Sequence, residues 1–93
     1  MDNITLENFV VRAGELISTD LDEETILMSI EQGAYYGMEE TARRIWQLLE
    51  TRQKVAQLCG QLAAEYNVTP EICQHDVLSY LEELQSEGLI VVE

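Results

Sequence analysis

Few residues of this 93-residue chain could do chemistry: His75 with its neighbour Asp76, and the thiols of Cys59 and Cys73. A histidine beside an acid can act as a base, and a thiolate can attack a substrate or bind a metal. Adjacent residues on a helix do not face each other, and the two cysteines lack the short paired spacing of zinc or redox motifs. We therefore expect reduced, packed thiols, no metal, no cofactor and no enzyme, with catalysis at these residues kept as an alternative.

The charge balance of the chain excludes some partners. Five Lys+Arg against 18 Asp+Glu give a net charge of −13, which disfavours phosphate backbones and anionic lipids. Hydrophobic residues make up 46% of the chain, but uninterrupted apolar runs are short, as in Leu89–Val92. This predicts a single soluble domain over residues 1–93, located in the cytoplasm, with no membrane segment and no nucleic-acid partner.

The first part of the chain has the two-residue period of strands. Leu16–Leu21 and Thr25–Glu31 read as strands, and Glu31-Gln32-Gly33 connects the second to a returning strand, Ala34–Met38. Strands are thus expected at about 16–38. Phe9–Val11 can be a further strand or a packed arm. Alternation predicts an apolar, core-facing side of the second strand made of Ile26, Met28 and Ile30.

Helical spacing predicts three helices over about 40–87. The first carries an apolar stripe from Ala42 to Leu49, and Thr51 is placed to cap the second. Thr69-Pro70-Glu71 predicts the start of the third helix, Gly88 its end, and residues 89–92 can add a short strand. The fold class is α+β: a small three-stranded antiparallel sheet followed by a three-helix winged helix-turn-helix.

A winged helix-turn-helix suggests DNA binding, but the charges oppose it. From Thr69 to Gly88 the candidate recognition helix has five acids and no lysine or arginine. Most of the basic residues lie around the first helix, and DNA binding would depend on Arg43 and Arg44 there. We expect these two side chains to be solvated or paired with glutamates. A DNA-binding transcriptional regulator is kept as the alternative function.

The edge of the sheet offers a different kind of surface. A strand with one neighbour exposes main-chain groups that an extended peptide can complete, and Tyr35, Tyr36, Gly37 and Met38 are the best candidates. Residues 13–42 contain eight acids and no Lys or Arg, so a basic peptide would be steered there. The alternatives are that these side chains only pack on the helices and that the acids only maintain solubility.

Three segments together carry a family resemblance. A hairpin ends in Ala34-Tyr35-Tyr36-Gly37-Met38, and residues 40–49 read ETARRIWQLL. The third segment is Asp76-Val77-Leu78 with Leu81-Glu82-Glu83-Leu84 and Gly88-Leu89-Ile90. In this order the chain resembles the PqqD family from about Val11 to Val92, and more closely the stand-alone PqqD-like proteins of lasso-peptide biosynthesis. Relatives often have asparagine at the position of Glu39, so the first helix is expected to be capped differently here.

The resemblance implies a protein that recognises the leader region of a ribosomally made precursor peptide. The leader would add as a strand beside the hairpin and lie against the third helix. The implied leader-binding residues are Tyr35, Tyr36, Gly37, Met38, Asp76, Val77, Tyr80 and Leu84. The implied partners are the leader peptide, a leader-cleaving cysteine protease and a macrolactam synthetase (cyclase), for which the protein would be a non-catalytic adaptor.

Overall fold

The computed structural model describes residues 4–14 and 16–93. Within them the strands are β1 (Phe9–Arg12), β2 (Leu16–Leu21), β3 (Glu24–Ser29), β4 (Ala34–Glu39), β5 (Gln53–Lys54) and β6 (Ile90–Val92). The helices are α1 (Glu40–Leu48), α2 (Val55–Tyr66) and α3 (Pro70–Ser86). The α+β fold class, with a three-stranded antiparallel sheet followed by three helices, is confirmed.

The predicted sheet has the order β2–β3–β4 with antiparallel pairing throughout. The strand β3 ends at Ser29 rather than at the predicted Glu31, because residues 30–33 form the turn. The main-chain N–H of Gly33 donates to the carbonyl oxygen of Ser29 (2.8 Å), and Gly33 has a φ of +63°. That left-handed conformation suits a residue without a Cβ.

The predicted buried face of β3 is wrong. Thr25, Leu27 and Ser29 face the core with at most 5% exposure, whereas Ile30 is 64% exposed in the turn. Ile26 and Met28 are only half-buried and lie on the opposite face. Thr25 and Ser29 can be buried because the hydroxyl group of each has a hydrogen-bond partner.

A second three-stranded sheet, β5–β1–β6, joins the two ends of the chain. Phe9 pairs with Lys54, and Val10 pairs with both Gln53 and Val92. Phe9–Arg12 is therefore a strand, a choice that the sequence left open. The expected cap of α2 at Thr51 is wrong. Residues 53–54 form a strand paired with β1, so α2 begins only at Val55 and Lys54 is its N-cap residue.

The helix boundaries after α1 follow local rules. Asn67 ends α2 in the left-handed conformation (φ 54°), Thr69 is the N-cap of α3, and Pro70 is its first residue. Gly88 follows α3 with a φ of +75°, as predicted for a helix stop. At the start of α1 the N-cap is Glu39, whose side chain makes no capping hydrogen bond with any described residue.

The core lies between the helices and the inner face of β2–β3–β4. Its fully enclosed members include Leu27, Leu49, Leu58, Leu62, Leu81 and Leu89, with Val10 and Val55 from the second sheet and α2. Of the helices in the described residues, none has the length and apolar content needed to cross a membrane.

Candidate functional site

The outer edge of β4 is open. β4 pairs with β3 from Ala34 to Glu39, and among residues 4–14 and 16–93 no strand pairs with its other side. Its side chains alternate, so the half-buried Tyr36 and the buried Met38 point towards the helices, whereas Tyr35 is 73% exposed. The main-chain groups on this edge are therefore free to pair with an added strand.

α3 lies opposite this edge and forms a cleft with it. The cleft has a volume of about 230 Å³. It is lined by Tyr36, Gly37, Met38, Tyr80, Glu83, Leu84, Glu87 and Leu89. Leu84 and Leu89 are buried and form an apolar floor, while Glu83 and Glu87 are exposed at the rim. A narrow apolar channel with acidic walls thus runs beside the open edge of the sheet.

The cleft continues along α3 in two further cavities. A cavity of about 300 Å³ between α1 and α3 is lined by Thr41, Ala42, Ile45, Asp76, Val77 and Tyr80. Beyond it, a cavity of about 290 Å³ is lined by Thr41, Leu62, Tyr66, Val68, Cys73, Asp76 and Val77. Shared lining residues make the three cavities neighbours, and together we call them the α3 groove.

One end of the α3 groove is tied by a side-chain network. Tyr36 Oη donates to Oε2 of Glu87 (3.0 Å) and lies 3.2 Å from Oε1 of Gln32. Nε2 of Gln32 donates to the main-chain oxygen of Glu87 (2.6 Å). Desolvation, followed by the hydrogen bond to the Glu87 carboxylate, raises the pKa of the Tyr36 phenol. The β3–β4 turn is thereby held against the end of α3.

The structure brings seven of the eight predicted site residues to the groove. Tyr36, Gly37, Met38, Tyr80 and Leu84 line the cleft, and Asp76 and Val77 line the neighbouring cavity. Tyr35 is not brought there, because strand alternation turns it to the opposite face of the sheet. The role of these residues in binding a leader stays a prediction.

The sequence reasoning missed residues that also line the groove. Glu83 and Glu87 follow Tyr80 at three and seven positions, and this helical spacing could have identified them. Thr41 lines two of the cavities, but it belongs to α1, and no local signal relates it to α3. The half-buried Tyr80 phenol has a raised pKa because of desolvation and, second, the charge of Glu83.

The candidate chemical groups lie in two different surroundings, and the thiol of Cys73 is 3.5 Å from the main-chain oxygen of Cys59. His75 is exposed on α3, whereas Cys59 and Cys73 are buried. Desolvation is the main cause that raises the pKa of both thiols, and the pKa of Cys59 reaches about 11. A reactive cysteine has a lowered pKa, so these thiols are the opposite of activated nucleophiles. In the part of the chain that the structure describes, no three His, Cys, Asp or Glu side chains are grouped to hold a metal ion.

The two arginines on which a DNA contact would depend are engaged by acids. Arg44 binds both carboxylate oxygens of Glu65 at 2.9 Å. Arg43 lies 3.8 Å from the carboxylate of Asp20, and its Nε donates to the hydroxyl of Thr25 (3.1 Å). Arg44 is thus paired with a glutamate, which is one of the two expected outcomes, whereas the partner of Arg43 is an aspartate rather than a glutamate.

Comparison with known proteins identifies the family of this chain. The family model described as coenzyme PQQ synthesis protein D (PqqD) matches residues 24–90, which is more than half of the chain. Among curated proteins no sequence matches. A solved structure, "TbiB1 in Complex with the TbiA(beta) Leader Peptide", is similar with a TM-score of 0.80 and 26% identity, over 86% of this chain and 93% of that one. The resemblance predicted from the sequence is confirmed at the level of the family: this chain belongs to the PqqD family.

Proposed function

We propose that this protein is a non-catalytic adaptor that binds the leader region of a ribosomally synthesised precursor peptide in lasso-peptide biosynthesis. The observation that carries the proposal is the open edge of β4 facing the apolar cleft along α3. The similarity to TbiB1, whose structure contains a leader peptide, supports it.

The leader would bind as a fourth strand of the sheet. Main-chain hydrogen bonds to β4 would hold it without regard to sequence, and alternate side chains would enter the α3 groove. Leu84 and Leu89 offer an apolar floor, and Tyr80 offers a ring with a polar tip. The three neighbouring cavities would therefore select a leader with apolar or aromatic anchors at alternating positions.

The charges around the groove would favour a leader with basic residues. Asp76, Glu83 and Glu87 are exposed at its rim, and the chain has a net charge of −13. Attraction between opposite charges raises the association rate and discriminates against acidic peptides. The affinity itself would come from the buried contacts of the groove.

As an adaptor, the protein would act by bringing molecules together. Holding the leader while contacting a leader-cleaving cysteine protease and a macrolactam synthetase raises the local concentration of the precursor at both enzymes. The precursor is made by the ribosome, so the adaptor would work in the cytoplasm, where the free thiols of Cys59 and Cys73 stay reduced.

Fluorescence anisotropy of a labelled leader peptide tests the proposal. The leader is taken from the precursor encoded with this chain, and a labelled DNA duplex is titrated in parallel at physiological salt. We expect saturable leader binding and no DNA binding. Tyr80→Ala should weaken the leader affinity by about tenfold or more, because truncating a central aromatic anchor typically costs that much.

Ser79→Ala is the matched control, because Ser79 is exposed on the same helix and does not line the groove cavities. It should bind the leader like the wild type. Salt-sensitive binding of DNA without binding of the leader would contradict the adaptor and favour the regulator.

A further inference from the structure

The sheet β2–β3–β4 has a second surface, turned away from the helices, which we call the outer face. Three cross-strand rows form it: Ile17–Met28–Tyr35, Thr19–Ile26–Gly37 and Leu21–Glu24–Glu39. The first row is apolar across all three strands. Ile17 is 46% exposed, Tyr35 73% and Leu21 52%, so large apolar side chains that the core does not use meet solvent here.

The outer face becomes acidic towards its other end. A cavity of about 280 Å³ there is lined by Leu21, Asp22, Glu23, Glu24, Glu39 and Glu40. All five basic side chains of the chain contact groups outside this cavity. Four form ion pairs: Arg43 with Asp20, Arg44 with Glu65, Arg52 with Glu93 and Lys54 with Glu7. The fifth, Arg12, lies over the ring of Trp46. The five carboxylates around this cavity therefore lack a compensating lysine or arginine from the described residues.

This combination restricts what can cover the outer face. A second copy of the chain would bring an equally acidic surface against the five carboxylates, which costs electrostatic energy on association. An anionic lipid surface would be repelled for the same reason. The complementary partner is a protein that presents apolar side chains next to lysines or arginines.

The outer face is also continuous with the edge at which the leader would add. β4 supplies the side chains of Tyr36 and Met38 to the groove and that of Tyr35 to the outer face, while the main chain of Gly37 lies between the two. A leader strand beside β4 would alternate in the same way and extend both faces of the sheet. A protein docked on the outer face would thus lie beside the bound leader and leave the α3 groove unobstructed.

We propose, building on the adaptor function, that the outer face docks the leader-cleaving protease through an apolar patch on that enzyme flanked by basic residues. The Ile17–Met28–Tyr35 row is the apolar anchor, and the five carboxylates set the orientation. The groove and the outer face then serve two partners at once on opposite sides of one sheet.

The test measures binding of the purified leader peptidase encoded with this chain, in the presence of saturating leader peptide. Ile17→Lys, on the strand farthest from the leader edge, should weaken the affinity for the peptidase by about tenfold or more. Leu21→Lys should weaken the affinity for the peptidase to a similar extent, which would show that the effect is not particular to one variant. Both variants should bind the leader within about twofold of the wild type, because exposed substitutions perturb the fold little.

Val91→Lys is the matched control. Val91 is 44% exposed and β-branched like Ile17, but it lies in β6 of the other sheet. It introduces the same charge and should leave binding of the peptidase unchanged. Raising the salt concentration should lower the affinity of the wild type for the peptidase, since opposite charges contribute.

Two results would overturn the inference while the adaptor function stands: an Ile17→Lys variant that binds peptidase as the wild type does, or a wild-type dimer in sedimentation that Ile17→Lys dissociates. A wild type that binds leader but no peptidase would overturn the inference together with the protease contact of the adaptor, and would leave only leader binding. A wild type that binds no leader would overturn the adaptor function and this inference together.

Discussion

The phenol of Tyr36 donates a 3.0 Å hydrogen bond to the Glu87 carboxylate, and this contact joins β4 to the residue after α3. Gln32 strengthens the same junction through the main-chain oxygen of Glu87. The two walls of the α3 groove belong to different elements, so side-chain contacts of this kind set their separation at this end.

Removing the Tyr36 hydroxyl should therefore loosen the end of the groove. We expect Tyr36→Phe to weaken leader binding by roughly threefold, the scale of one net hydrogen bond at a partly exposed site. Amide hydrogen exchange of residues 34–38 should become faster. Tyr35→Phe is the matched control, because it removes a neighbouring phenol on the outer face. Equal effects of the two substitutions would contradict a role for the bond to Glu87.

Leu27 in β3 and Ile30 in the turn that follows should differ sharply in their contribution to stability. Leu27→Ala empties a fully buried position and should lower the free energy of unfolding by about 2–5 kcal/mol. Ile30→Ala changes a side chain that is 64% exposed and should cost less than about 0.5 kcal/mol. Urea unfolding of both variants measures the difference. Comparable losses would mean that the side chain of Ile30 is also buried in solution.

Which face of β3 is buried could not be predicted from the sequence, and the reason is physical. Ile26, Met28 and Ile30 are more apolar than Thr25, Leu27 and Ser29, and hydrophobicity alone assigns the first set to the core. Burial of the second set depends on distant partners. Thr25 Oγ1 donates to Asp20 (2.7 Å) and accepts from Arg43 (3.1 Å) on α1, so its hydroxyl is satisfied inside.

Local patterns predict the elements of this fold better than their long-range pairing. Helical spacing, Pro70 and Gly88 give α3 its correct position, and the same spacing places Asp76, Val77 and Tyr80 along one groove. The second sheet escapes prediction because β1 pairs with residues more than 40 positions away, which no local period encodes. Tyr35 is predicted among the groove residues because the sequence does not show which side chains of β4 face inward.

The pair Arg44–Glu65 should be visible in the titration of a single carboxyl. Two hydrogen bonds from Arg44, then one from Gln61, lower the pKa of Glu65 from 4.5 to about 2. A depressed pKa stabilises the folded state above pH 4.5, and this contribution is lost as the pH falls through about 2. Carbon NMR of the Glu65 side chain should give that low midpoint.

Arg44→Ala should return the Glu65 midpoint towards 4.5, since the main cause of the lowered pKa is removed. Arg52→Ala, which removes a different arginine paired with Glu93, should leave it in place. A wild-type midpoint near 4.5 would mean that Arg44 is solvated in solution and available to other ligands.

The buried thiol of Cys59 should make the protein sensitive to alkaline pH. Desolvation, with a smaller effect of Cys73, raises the pKa of Cys59 from 9.0 to about 11. A raised pKa means that the unfolded thiol ionises first, so stability is complete below pH 9 and falls as the pH rises towards 11. The loss should be on the order of 1 kcal/mol, because a tenfold change in acidity corresponds to about 1.4 kcal/mol. Urea unfolding at about pH 7 and at about pH 10.5 measures it.

Cys59→Ala should start less stable at neutral pH because it leaves a small cavity, but its stability should decline less steeply above pH 9. Tyr36 and Tyr80 also have raised pKa values, and their ionisation is common to both proteins, so it cancels in the comparison. Cys73 also has a raised pKa and contributes to that of Cys59, so the difference between the two slopes reports Cys59 together with its coupling to Cys73. Identical slopes would show that the thiol is as solvated in the folded protein as in the unfolded chain, and thus open to oxidation and alkylation.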